Sequence, residues 1–176
     1  VRDLLNMTSG IVYPGDDGAG LAMEELFDKV QMDIGAGREI STRELIRQVA
    51  KQPLAFEPGT QWRYGFSTDV IGAIIEVVSG MSLGEFYQKE LFDKLDMKDT
   101  GFFVPEDKRD RFAKLYRWSD DGHEPKLREE FSRHLCLTNS LKQPGFESAG
   151  AGLVSTTDDY AHFAQKEEDP DKAVQM

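Results

Sequence analysis

The chain has 176 residues, of which 39% are hydrophobic and 30% charged, and this length and composition suit one globular domain with its own core. Its 32 acidic against 21 basic residues give a net charge of -11, which opposes binding to nucleic acid or to an anionic membrane surface. Cys136 is the single cysteine, which excludes an internal disulfide and a cysteine-based metal cluster.

The predicted elements begin with a short amphipathic helix over residues 1–7. Residues 13–20 are rich in Gly, Pro and Asp and predict a mobile loop, which leads to a helical pattern over residues 21–34. The STRE sequence of residues 41–44 has the form of a capping box and predicts a helix to about residue 52. Pro53 cannot continue that helix, so residues 53–59 are expected to form an extended turn.

The most regular apolar stripe in the chain predicts a deeply buried helix that ends at Ser79 and Gly80. Its members are Val70, Ile71, Ile74, Ile75 and Val78. A second capping box, SLGE at residues 82–85, predicts a helix that ends near residue 97. Residues 112–127 alternate around an Asp-Asp-Gly turn and predict a small β-hairpin.

The C-terminal part predicts one more helix and then a change of character. Residues 129–143 favour neither helix nor strand, and residues 155–158 predict the capped start of a helix that ends near residue 164. The acidic sequence that follows has no apolar period. We therefore expect a helical domain over residues 1–165 and an acidic junction or linker over residues 166–176.

Several common functional motifs are absent from the sequence. It contains no Gly-x-Ser-x-Gly, no His-Glu-x-x-His, no phosphate-binding loop and no Gly-x-Gly-x-x-Gly. Its three histidines, His123, His134 and His162, do not have metal-ligand spacing. The sequence therefore predicts neither a metal nor a cofactor.

The most informative stretch is FEPGTQWRYGFSTD at residues 56–69, in which a Pro-Gly turn precedes Tyr64 and the apolar helix follows. This stretch resembles the family of serine β-lactamases and penicillin-recognising esterases. Three further stretches resemble the same family in the same order: VRDLLNMTSG at 1–10, LDMKDTGF at 95–102 and SAGAGLVSTTDD at 148–159. The combination of Trp62, Arg63 and Tyr64 is most similar to the class C-like carboxylesterases of β-lactamase fold.

The resemblance implies a mainly α fold, namely the helical subdomain of the serine β-lactamase/DD-peptidase-like α/β fold, with a small β-hairpin. It also implies acyl transfer in which the serine of a Ser-x-x-Lys motif attacks a carbonyl and Tyr64 transfers protons. No serine stands three residues before any lysine of this chain, so we expect that motif upstream of Val1. The expected partners are the remaining parts of the same hydrolase and a small-molecule ester, amide or lactam, and this fragment alone is expected to be inactive.

Phe66 and Ser67 are predicted to bind substrate on the basis of the same resemblance. Phe66 stands where β-lactamases of the family place an asparagine, and an apolar residue there favours simple esters over β-lactams. Ser67 has the alternative role of capping the helix that follows.

The alternative function is a non-catalytic helical binding module that keeps the penicillin-binding-protein architecture. The cellular compartment stays open, with the cytoplasm favoured over secretion.

Overall fold

Helices form most of the regular structure in the computed structural model, which describes residues 1–114, 116–118, 122, 125–127 and 140–167. The α-helices are α1 (Arg2–Leu5), α2 (Gly18–Gly35), α3 (Thr42–Val49), α4 (Ser67–Ser79), α5 (Leu83–Tyr87), α6 (Asp93–Leu95) and α7 (Thr157–Glu167). A π-helical turn, Gln88–Phe92, joins α5 to α6, and a 3₁₀ helix spans Glu106–Arg111. Strands β1 (Tyr116–Trp118) and β2 (Pro125–Leu127) pair antiparallel, which confirms the mainly α fold with a small hairpin.

Most predicted helices are present, and their ends differ by a few residues. α3 ends at Val49, whereas the prediction extended it to about residue 52. α7 begins after Thr156, whose hydroxyl accepts from the Asp159 amide at 3.2 Å, and it continues past the predicted domain boundary at residue 165. Residues 168–176 of the predicted junction, and most of the ambiguous stretch 129–143, lie outside the described residues.

The hydrophobic core lies between α2, α3 and the segment that leads into α4. It consists of Met23, Leu26, Phe27 and Val30 from α2, Leu45 and Val49 from α3, and Ile40, Phe66 and Phe146. Complete burial of a side chain of this size stabilises the fold by about 1.5–3 kcal/mol relative to an exposed one. Because Phe66 belongs to this core, the core fixes the chain only two residues after Tyr64.

The buried face of α4 is not the apolar stripe that the sequence predicts. The helix buries polar Ser67, Asp69 and Glu76, whereas Val77 and Val78 are 66% and 81% exposed. The inward polar groups are bonded: Ser148 donates to Asp69, and the Arg43 guanidinium bonds both the carboxylate and the carbonyl of Glu76. The prediction that Val78 is buried is therefore wrong, because specific polar contacts decide which face of α4 turns inward.

No described helix is by itself long and apolar enough to span a bilayer. α4 and the helical stretch that ends at Leu95 reach the required length only together, as a pair bent by 79° at the break between them.

The two predicted capping boxes form to different extents. At α5 the Ser82 hydroxyl accepts from the Glu85 amide at 3.1 Å, and the Glu85 carboxylate accepts from the Ser82 amide at 2.8 Å. At α3 the Ser41 hydroxyl accepts from the Glu44 amide at 3.2 Å, but the Glu44 carboxylate pairs with Arg38. The Arg38 guanidinium thus binds the Glu44 carboxylate in place of the Ser41 amide, and the capping box at α3 is only half formed.

Replacement of the closed cap is expected to weaken the fold measurably. Ser82→Ala and Glu85→Ala each remove one arm of the box, and Ser82→Ala should lower the free energy of unfolding by about 1 kcal/mol. Denaturant titration of the protein measures this change. Glu44→Ala is the matched control, because it removes an exposed ion pair, which is typically worth less than about 1 kcal/mol. Equal losses in Glu85→Ala and Glu44→Ala would contradict the assignment of the closed box.

Candidate functional site

The loop that carries Tyr64 lies against the segment that follows α1. The Gly59 amide donates to the Thr8 carbonyl at 2.8 Å, and the Arg63 amide donates to the Met7 carbonyl at 3.0 Å. Two of the four family-like stretches are therefore bonded directly to each other, through residues that lie 51 and 56 positions apart in the sequence. The backbone of the tyrosine loop is fixed immediately before Tyr64.

Gly65 allows the chain to come close to the same segment just after Tyr64. A Cβ atom on Gly65 would lie 2.2 Å from the Ile11 carbonyl oxygen and 2.8 Å from the Val12 Cα. Next to it, the hydroxyls of Ser9 and Ser67 hydrogen-bond at 2.8 Å in the interior. The position of Tyr64 thus depends on a residue without a side chain and on a buried serine pair.

The Tyr64 side chain lies at the surface, with 58% of it exposed. Its ring packs at 49° against Tyr13, with 5.7 Å between the ring centroids, and Tyr13 meets Phe66 edge-on at 5.9 Å. Burial, together with the charges of Asp69 and Tyr64, raises the pKa of Tyr13 to about 12. The site therefore contains two neighbouring phenols, one exposed and one half-buried.

The structure places Phe66 and Ser67 in the interior. Phe66 is 3% exposed and packs against Phe27 and Phe146, with ring centroids 5.3 and 6.1 Å away. Ser67 is fully buried and is the first residue of α4, and its hydroxyl is bonded to Ser9. It does not cap α4, whose N-cap is Phe66. Of the three predicted site residues, Phe66 and Ser67 are therefore buried and only Tyr64 is exposed.

An ion pair holds the tyrosine loop to the start of α2. Arg63 pairs with Asp17, which also accepts from the Gly20 amide at 2.7 Å and so caps α2. These hydrogen bonds, first from Arg63 and then from Gly20, lower the pKa of Asp17. Trp62, which precedes Arg63 in the sequence, is 68% exposed. The loop of residues 13–17 therefore borders the site next to Tyr64.

A buried carboxylate lies in the first turn of α4, five residues after Tyr64. Asp69 is 1% exposed, and one of its oxygens accepts from the Ser148 hydroxyl at 2.6 Å and from the Gly150 amide at 3.2 Å. Burial raises the pKa of Asp69 although these hydrogen bonds lower it. The third family-like stretch, residues 148–159, is thereby tied to the helix that follows Tyr64.

The fourth stretch, residues 95–102, packs against the third. The Asp159 carboxylate accepts from the Thr100 hydroxyl and from the Asp99 amide, both at 2.7 Å, and Gly101 forms a β-bridge with Val154. Each of the four stretches that resemble the family therefore contacts at least one other, and together they form one connected set that includes the loop of Tyr64.

Tyr13 and Asp69 were not predicted as site residues. The sequence carries a partial signal for Asp69, since an acidic residue that opens an otherwise apolar helix needs buried partners. For Tyr13 the signal is weaker, because only the fold brings it to Tyr64.

The described residues hold no group of three or more His, Cys, Asp or Glu side chains arranged for a metal. A cavity of about 450 Å³ lies elsewhere, lined by residues 98–101, 103–105 and 154–156 among others, and it shares no lining residue with the Tyr64 surroundings.

Comparison with known proteins identifies the family and the fold of the chain. The family model described as Beta-lactamase matches residues 1–176, so the chain belongs to the beta-lactamase family. Among curated relatives, Esterase EstB of Burkholderia gladioli is 32% identical over 168 residues, which cover 90% of this chain and 42% of EstB. Protein Rv1367c of Mycobacterium tuberculosis is 28% identical and is matched over 37% of its length.

Solved structures show the same fold. EstCE1, described as a hydrolase with promiscuous acyltransferase activity, superposes with a TM-score of 0.72 at 25% identity, over 94% of this chain and 44% of EstCE1. The penicillin binding protein of Bacillus halodurans, at 22% identity and a TM-score of 0.60, shares the fold. The chain thus spans less than half the length of these relatives.

Gly65→Ala is expected to disrupt the tyrosine loop. Its added methyl group would overlap the backbone at residues 11–12, and the strain should lower the free energy of unfolding by about 2 kcal/mol or more. Thermal or denaturant unfolding of the protein measures the loss. Gly35→Ala is the control, because a Cβ there meets no atom within 4 Å and alanine suits a helix better. If both variants unfold like the unmodified protein, the close approach at Gly65 is not a constraint.

Proposed function

We propose that this chain supplies the proton-transferring tyrosine, Tyr64, of a serine acyl hydrolase whose nucleophile lies outside these 176 residues. The observation that carries the proposal is the exposed phenol of Tyr64 immediately before α4, in a chain of the beta-lactamase family. The absence of any serine three residues before a lysine supports the second part. The nucleophilic serine and its lysine would come from another segment of the same protein.

The proposed chemistry assigns one step to each group. The serine hydroxyl attacks the substrate carbonyl while its proton passes to the tyrosine oxygen, and the tyrosine then protonates the leaving group. Water hydrolyses the resulting acyl-enzyme. A phenol titrates near 10 in water, so a cation such as the expected lysine must stand close to a tyrosine that works as a base near neutral pH.

We further propose that the substrates are simple esters. The relatives EstB and EstCE1 are described as an esterase and as a hydrolase with acyltransferase activity. Residue 66 is a phenylalanine that packs into the core, so this position offers no amide to hold the acylamido group of a β-lactam. A small-molecule ester fits these features better than a lactam or a peptide.

Tyr64→Phe in the whole protein should abolish most of the hydrolysis. Loss of the hydroxyl removes the proton transfer, and we expect kcat to fall by about 10² to 10⁴ with the fold intact. Steady-state hydrolysis of a p-nitrophenyl ester, with circular dichroism to check folding, measures the effect. Tyr160→Phe is the matched control, since Tyr160 is 65% exposed on α7, outside the site.

Retention of activity in Tyr64→Phe would contradict the catalytic role proposed for Tyr64. A whole protein that neither hydrolyses esters nor reacts with a fluorophosphonate would favour the non-catalytic binding module instead.

The substrate proposal predicts a ranking. The whole protein should hydrolyse short-chain p-nitrophenyl esters with a higher kcat/KM than the β-lactam nitrocefin, because residue 66 provides no amide hydrogen bond. Both reactions are followed by absorbance under the same conditions. The opposite order would contradict the ester preference and leave the role of Tyr64 untouched.

A further inference from the structure

The Oδ2 atom of Asp69 is buried without a hydrogen-bond partner among the residues that the structure describes. Its Oδ1 atom accepts from Ser148 and Gly150, while Oδ2 has no partner among the described residues. A carboxylate removed from water costs several kcal/mol unless its oxygens are bonded, and buried polar atoms are nearly always satisfied. An exception five residues after Tyr64 calls for an explanation in terms of what Oδ2 faces.

Oδ2 faces Gly150 and, beyond it, the hydroxyl of Tyr13. A Cβ atom on Gly150 would lie 2.7 Å from Oδ2 and 3.5 Å from the Tyr13 hydroxyl oxygen. The glycine therefore leaves open the space that the carboxylate and the phenol share. Tyr13 in turn packs on Tyr64 with 5.7 Å between ring centroids. The carboxylate, the Tyr13 phenol and the exposed Tyr64 phenol thus form one cluster, in which no hydrogen bond joins Oδ2 to Tyr13.

The charges around this cluster act on the half-buried phenol, Tyr13. The charge of Asp69, on α4, and that of Tyr64, in the preceding loop, both raise the pKa of Tyr13. The Asp69 charge also raises the pKa of Tyr87, on α5, after the larger effect of burial. Burial first, and the Asp69 charge second, raise the pKa of Tyr13 to about 12. Tyr13 therefore stays protonated near neutral pH.

We propose that Asp69 is a positioning residue of the Tyr64 site: it ties residues 148–150 to α4 and, across the space at Gly150, orders the Tyr13 ring on which Tyr64 packs. This inference rests on the proposed function of Tyr64. Asp69 touches neither the substrate nor the reacting atoms, so its effect must pass through Tyr13.

Asp69→Asn in the whole protein tests the proposal. Asparagine keeps an acceptor for Ser148 and has nearly the same shape, but it lacks the charge. We expect kcat for a p-nitrophenyl ester to fall on the order of 10-fold with little change in KM, because a small misplacement of a reacting group is costly. The alkaline limb of the kcat profile should move to lower pH, because loss of the negative charge lowers the pKa of Tyr13.

A double-mutant cycle with Tyr13→Phe assigns the effect to the right group. In the Tyr13→Phe background, Asp69→Asn should cause no further change in kcat and no shift of the alkaline limb. Asp159→Asn is the matched control: it neutralises another buried aspartate that accepts two hydrogen bonds, in the contact between α7 and residues 99–100. A purely structural role predicts that both variants lose stability while the limb stays in place.

The outcomes separate this inference from the function on which it rests. If Tyr64→Phe loses activity but Asp69→Asn keeps the kcat and the pH profile of the unmodified protein, the positioning role is overturned and the function of Tyr64 stands. If Tyr64→Phe retains activity, the proposed function fails and the positioning role fails with it. Should Asp69→Asn not fold, Ser148→Ala replaces it: a several-fold lower kcat that is not additive with Tyr13→Phe supports the proposal, and an unchanged kcat contradicts it.

Discussion

The placement of Tyr64 depends on the close approach of two backbones, at Gly65 and at residues 11–12. A side chain at position 65 would occupy the space of the Ile11 carbonyl, so the loop can pass there only with glycine. The amide of Arg63 and the ring of Phe66 fix the chain on either side of the pair Tyr64 and Gly65. The phenol is exposed, but the backbone that carries it is constrained at both ends.

A second constraint comes from the polar residues on the buried face of α4. Apolar packing alone would turn the valines and isoleucines of this helix inward, yet the buried side includes Asp69, bonded to Ser148, and Glu76, bonded to Arg43. Each buried charge is unfavourable by itself and fixes the orientation of the helix only because its partners are in place. The rotation of α4 therefore follows from a few polar contacts, and it sets the direction in which the chain leaves Tyr64.

The sequence alone could predict features that depend on neighbouring residues, but not those that depend on contacts between distant parts of the chain. Local signals were sufficient for the cap at Ser82, for the stop at Gly80, whose φ is 72°, and for the hairpin around residue 122. The inward face of α4 could not be predicted, because it is decided by contacts with residues 148–150, some 80 positions away. The same holds for Phe66, whose burial depends on Phe27 and Phe146. Tyr64 was predicted as a site residue from the resemblance of its surroundings to a family and not from any pattern of spacing.

The two tyrosines show how one fold gives identical side chains different environments. Tyr64 is open to solvent. Tyr13 is half-buried, and the carboxylate of Asp69 lies close enough to oppose a second negative charge. Desolvation and like charge both favour the neutral form of Tyr13, whose ring packs against that of Tyr64. Burial and one acidic residue, rather than the phenol itself, thus set the protonation state of Tyr13.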